Sequence, residues 1–207
     1  PYILNSKSSL KGKERVRGRM KTKLSYLSFL LVLIMCVSFT NVSHGIELDP
    51  VKEQIEDTVK LGESNPGRKI FETEFIKQAI FGKWPKYGGG MVKTKLVDLA
   101  VMSAMMRKAR KNLSEKDAVS MTKSDVLVIS YRGGDDVFKI KLQQGGTLIE
   151  PANMRRPDLR GKDPQEHAAF FLASFPYSRL DLNAKTTIII IKDFGEEKYQ
   201  VDFSRIK

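Results

Sequence analysis

Cysteine, histidine and tryptophan are scarce in this chain of 207 residues, which has one Cys, two His and one Trp. A lone Cys36 excludes an intramolecular disulfide framework and any multi-cysteine zinc or iron–sulfur site. His44 and His167 leave little room for a histidine-based metal centre. No G-x-S-x-G elbow, phosphate-binding glycine loop or Cys–His arrangement occurs. The sequence therefore offers no catalytic residues, no cofactor motif and no metal-ligand set. Low-complexity and collagen-like readings are also excluded, because 41% hydrophobic and 29% charged residues is a globular composition.

One long apolar run is present. Residues 24–39 are apolar apart from small hydroxyls, follow Lys21 and Lys23, and lead to Ser43-His44-Gly45, small at −3 and −1 of a cut before Ile46. That order reads as a secretory signal peptide over 20–45. The run is short of the roughly 20 apolar residues a spanning helix needs, which sets an uncleaved membrane anchor second. Residues 1–19 lack an initiator Met and read as an upstream extension or untranslated region before Met20. The leader changes the charge. The whole chain carries +12, but residues 46–207 keep 28 basic and 23 acidic side chains, a net of +5. This speaks against nucleic acid as a partner. The expected location is secreted or periplasmic, with membrane contact only through an uncleaved leader.

Beyond the leader, residues 46–113 read as helical. Asp49-Pro50 suits a helix start, followed by Val51, Ile55, Thr58, Val59 and Gly62 at helical spacing. Ile70, Phe71, Phe75, Ile76, Ala79 and Ile80 predict a second helix, and residues 92–112 a third. The middle of this third helix is nearly all apolar and should be buried on more than one side. Gly88-Gly89-Gly90 reads as a flexible link. Ser114 predicts an N-cap for a short helix to Met121.

Residues 114–207 read as an antiparallel β domain with one inserted helix. Residues 126–131 and 137–142 predict a hairpin, with Phe138, Ile140 and Leu142 on one face. A short strand is expected at 147–150. Asp163-Pro164-Gln165-Glu166 predicts a helix through Ser174. Four consecutive isoleucines at 188–191 predict a strand covered on both faces, and Tyr199, Val201 and Phe203 a last alternating strand. The final hairpin resembles the closing hairpin of small secreted β-sandwich domains. The expected class is α+β: a helical N-terminal half packed with a small antiparallel sheet or a sandwich-like C-terminal domain.

The candidate binding residues are Trp84 and Tyr87 in the glycine-rich loop, and Arg155 and Arg156 in a basic cluster with Arg160 and Lys162. A second cluster, Arg107, Lys108, Arg110 and Lys111, sits where cations suit a helix C-terminus. Asp135-Asp136 beside Gly133-Gly134 reads as a turn, and His167 as a first-turn helical residue. The expected function is non-catalytic: an envelope protein that binds a protein partner or a surface polymer. Its rivals are a carboxylate-dependent glycan-acting enzyme, using Asp98 or the pair Asp158 and Asp163, and a basic surface for anionic lipid or nucleic acid.

Overall fold

Alternation along Val126–Gly133 (β3) organises the architecture. Leu127, Ile129 and Tyr131 face one way and are fully buried, while Ser130 and Arg132 face the other. In the computed structural model, which describes residues 45–134, 136–156 and 169–207, this strand sits at the centre of a five-stranded antiparallel sheet. Its neighbours are β2 (Gly89–Lys93) and β7 (Ala169–Pro176), with β1 (Ile80–Gly82) and β6 (Asn153–Arg155) at the edges. A second antiparallel sheet runs β5 (Thr147–Ile149), β4 (Val137–Gln144), β8 (Lys185–Lys192), β9 (Gly195–Asp202). The inner faces share one core. Phe81, Ile129, Tyr131 and Phe175 come from the first sheet, and Ile140, Leu142, Ile188 and Ile190 from the second.

Three α-helices precede β3 besides a 3₁₀ segment, Gly67–Glu72. They are α1 (Lys52–Ser64), the single turn α2 (Glu74–Lys77) and α3 (Lys95–Lys108), and a fourth, α4 (Glu115–Met121), also lies ahead of β3. The chain is thus α+β, with its helices toward the N-terminus and most of its sheet after them. α3 is buried on two sides, as its apolar middle predicts. Val97, Ala100 and Ala104 join the main core, while Leu96 and Leu99 meet Ile55 of α1 and Ala118 of α4. α1 crosses it closely, because a methyl on Gly62 would lie 2.5 Å from the Ala100 carbonyl oxygen. Ser103 Oγ donates to Val59 O across the same crossing at 2.9 Å.

Several expectations are corrected. The helix through Ser174 is replaced over its described part by β7, where Phe171, Ala173 and Phe175 alternate into the core in register with β3. Its start at 163–166 lies outside the described residues. Pairing along the whole length of β3 outweighs the local helix signal. The helix over 70–80 breaks at Thr73, whose backbone is extended and whose Oγ1 donates to Ile70 O at 2.7 Å, and Ile80 already belongs to β1. The third helix starts at Lys95, capped by Thr94, because Val92 and Lys93 pair in β2. α1 begins at Lys52 rather than at Asp49-Pro50, with Gln54 accepting from the Val51 N–H at 2.9 Å. β3 and β4 form no hairpin but lie in different sheets, and a bulge at Phe138 turns that ring outward to 56% exposure while Val137 takes the inward place. The Ser114 cap of α4 and the covered isoleucine strand stand as expected.

The glycine triplet is not a link. Gly89 and Gly90 are strand residues, and a side chain at either would collide with what crosses it. A Cβ at Gly89 would lie 1.9 Å from Trp84 N, and one at Gly90 would lie 2.2 Å from the tip of the Phe81 ring. These glycines let the 83–88 loop fold back on its own sheet.

Candidate functional site

Residues that alternate inward along the first sheet leave their neighbours on its outer face. Ile80, Met91, Ser130, Leu172 and Arg155 are successive cross-strand partners and so form one outward row. Arg132 and Phe170 pair in the next row on the same face. α3 and the 3₁₀ segment cover part of this face, so that Met91 is only 3% exposed. The uncovered part is the floor of a groove of about 930 Å³. One wall is α3, with Val101, Met105 and Lys108; the other is Arg68, Phe71 and the loop at Trp84, Pro85 and Lys86. This volume lies in the usual range for small-molecule sites, about 300–1,000 Å³.

Trp84 is the aromatic centre of the groove. Its ring meets Phe71 edge-on at 5.7 Å and Phe170 at 5.5 Å between centroids. Its indole N–H is buried without an acceptor among the described residues, as is the Nε of Arg132. Arg132 is held by a 2.6 Å hydrogen bond from Nη1 to Pro85 O, which ties the floor to the loop. Among the groove's cations, Lys93 is paired with Asp98 at 2.6 Å. Arg68, Lys86 and Lys108 have no carboxylate partner among the described residues. The stem of Lys108 lies against Gly67, the residue before Arg68, and both cations line the groove. Among the described residues Glu72 is the one carboxylate in the lining.

Tyr87 has a different place. Its hydroxyl accepts from Gly134 N at 3.1 Å and donates to Asp136 Oδ1 at 3.2 Å, which fastens the loop to the start of β4. Beside it, at one end of the interior between the sheets, Tyr131 and Tyr199 both donate to Glu197, at 2.8 and 2.7 Å. Lys192 binds the other Glu197 oxygen at 2.7 Å and lies 5.6 Å from the Tyr87 ring centroid. Partial burial opposes ionisation of Glu197, but hydrogen bonds from Lys192, Tyr199 and Tyr131 outweigh it and hold the carboxyl below its ordinary value. Burial and the same carboxylate push the Tyr199 hydroxyl up to about 12. Every group in this cluster is matched, which is the pattern of a structural polar plug.

Trp84 is therefore the one candidate that lines the groove. Arg155 extends the outward row past Leu172. Arg156 instead stacks on the exposed Phe138 at 5.0 Å and donates to Phe138 O. Asp98 is not enclosed in an apolar helix core, because its side chain is 38% exposed and ion-paired. Asp158, Asp163, Arg160, Lys162 and His167 lie outside the described residues. Sequence reasoning missed Arg68, Phe71, Met105, Arg132 and Phe170 as groove residues. Phe71 and Phe170 sat in predicted helices, and their common factor is a sheet face that no local pattern marks. No known protein family, curated protein or solved structure matches the chain.

Proposed function

We propose that this chain is an exported, non-catalytic binding module of the cell envelope that holds its ligand in the groove over the outer face of the five-stranded sheet. The observation that carries this is the groove itself: an apolar, aromatic floor ringed by three cations that have no carboxylate partner among the described residues. A folded chain ordinarily covers such a floor or neutralises such a rim, and a surface that does neither marks a ligand site. Export rests on the leader read from the sequence over 20–45. Among the described residues no helix is long and apolar enough to cross a membrane.

The test is saturable co-sedimentation of the purified chain with isolated cell envelopes. Leu172→Glu and Val101→Glu, each with a native circular-dichroism spectrum, are expected to weaken it by at least about ten-fold, roughly the loss of one good contact to the ligand. Gln200→Lys on the opposite sheet leaves it unchanged. Binding that is absent, or indifferent to both groove variants, overturns the reading.

A further inference from the structure

We infer that the ligand of this groove is a single-chain anionic amphiphile: an aliphatic tail on the floor with an acid group held between Arg68 and Lys108. This rests on the groove being the ligand site and goes on to name the chemistry it accepts.

The floor decides the middle of the ligand. It is the face of a sheet, not an edge, and β2, β3 and β7 are each paired on both sides. Their backbone N–H and C=O groups are consumed by neighbouring strands. A peptide laid there finds no edge to extend, and its own main-chain groups are left without partners at a cost of about 1–3 kcal/mol each. Side chains do not replace those partners: Ile80, Leu172 and Phe170 are apolar, Ser130 is 5% exposed, and the donors Trp84 Nε1 and Arg132 Nε are themselves buried. An occupant of this floor has to be poor in hydrogen-bonding groups along its length. A hydrocarbon chain satisfies that condition, and the adjoining rings of Trp84 and Phe71 suit it.

The rim decides the end. Arg68 and Lys108 both line the groove, with the Lys108 stem against Gly67, the residue before Arg68, and neither has an ion-pair partner among the described residues. Lys86 adds a third such cation on the loop wall. Glu72 opposes a negative ligand but is outnumbered. Charge complementarity therefore selects an acid over a neutral or cationic head. Arg68 offers a planar fork to a carboxylate or phosphate, and Lys108 a point charge beside it. A free fatty acid and a lysophospholipid share this chemistry.

Trp84 is the chain's one tryptophan and lines the groove, so its fluorescence reports occupancy directly. The purified chain is titrated with dodecanoate, dodecan-1-ol and dodecyltrimethylammonium, all below their aggregation concentrations, and with 1-lauroyl-lysophosphatidic acid to distinguish a fatty acid from a lysophospholipid. The expected result is a saturable change with the two acids, at least about ten-fold tighter than with the alcohol or the cation, one lost charge-assisted hydrogen bond being worth about that much. Arg68→Gln with Lys108→Gln is expected to remove this preference while leaving the alcohol's affinity unchanged; Lys198→Gln, on the other sheet, changes neither. Equal affinity for all four probes, or an acid preference that survives the double substitution, overturns the inference. So does the absence of any saturable change. If the groove variants still abolish envelope binding in that event, the site stands and its occupant is a polymer or a protein segment instead.

Discussion

On the outer face of the four-stranded sheet, Lys139 and Lys141 share Glu150 at 2.6 and 2.8 Å, and Lys198 meets Glu196 at 3.3 Å. On the outer face of the five-stranded sheet, Arg68, Lys86 and Lys108 stand around Trp84, Phe71 and Leu172 with no ion-pair partner among the described residues. Even the outward Ile189 of the first face is only 5% exposed, because it lies in register between Lys141 and Lys198, whose methylene stems cover it. The two faces are both rich in cations, and the number of charges does not distinguish them. Pairing does. A lysine whose charge is matched and whose stem covers a neighbour is a solvated surface, whereas the cations at the edge of the open apolar floor are the ones the proposed ligand site draws on.

Four tests sharpen this contrast. The largest effect is expected from placing a charge on the covered part of the first face rather than on the open part of the other. Met91→Lys forces an ammonium into a buried position and should cost more than about 3 kcal/mol in urea unfolding. Gln200→Lys, on the exposed face of β9, should stay within about 0.5 kcal/mol. Equal costs would show that the first sheet's outer face is not covered by α3. Next, Trp84→Ala removes the ring that bridges Phe71 and Phe170, and is expected to cost about 2–3 kcal/mol, below the full loss for a buried aromatic because Trp84 is partly open. Trp84→Phe should recover most of that loss.

A third test concerns the plug between the sheets. The folded state holds the Glu197 carboxyl below its ordinary value of 4.5, so its contribution to stability is present above that value and fades as pH falls through the lowered one. The stability difference between wild type and Glu197→Gln is therefore expected to shrink as unfolding is measured from pH 6 down toward pH 3. A difference that stays constant or grows on acidification contradicts the network. The smallest effect is expected at Glu150. Its carboxyl is also lowered, by hydrogen bonds from Lys139 and Lys141, but it is half open to water. Glu150→Gln should cost less than about 1 kcal/mol, shrinking further in high salt.

Much of the fold was legible where one element carries its own signal. The Ser114 cap, the apolar middle of α3 and the isoleucine run of β8 each depend on residues a few positions apart. The failures share a cause. A capping box at 163–166 suggested a helix where β7 forms, because the partner that stabilises it, β3, lies about forty residues away. Alternation over 137–142 suggested a hairpin, but β4 pairs with β5 and β8 in the other sheet, and a single bulged residue, Phe138, shifts which side chains face inward. The glycine triplet looked like slack because nothing local reveals that Trp84 and Phe81 press against it.

The sequence by itself determined the apolar run over 24–39, the clustering of excess positive charge ahead of residue 46, the α+β class, and the choice of Trp84 as an aromatic worth watching. Only the tertiary structure decided which cations surround that ring. Arg68, Trp84, Lys108 and Phe170 come from four separate elements, and they meet because β1, β2, β3 and β7 pair in one register and α3 packs across part of the face they share. Local periodicity says which face of an element is apolar. Long-range pairing says what that face is set against, and here it leaves part of one face open.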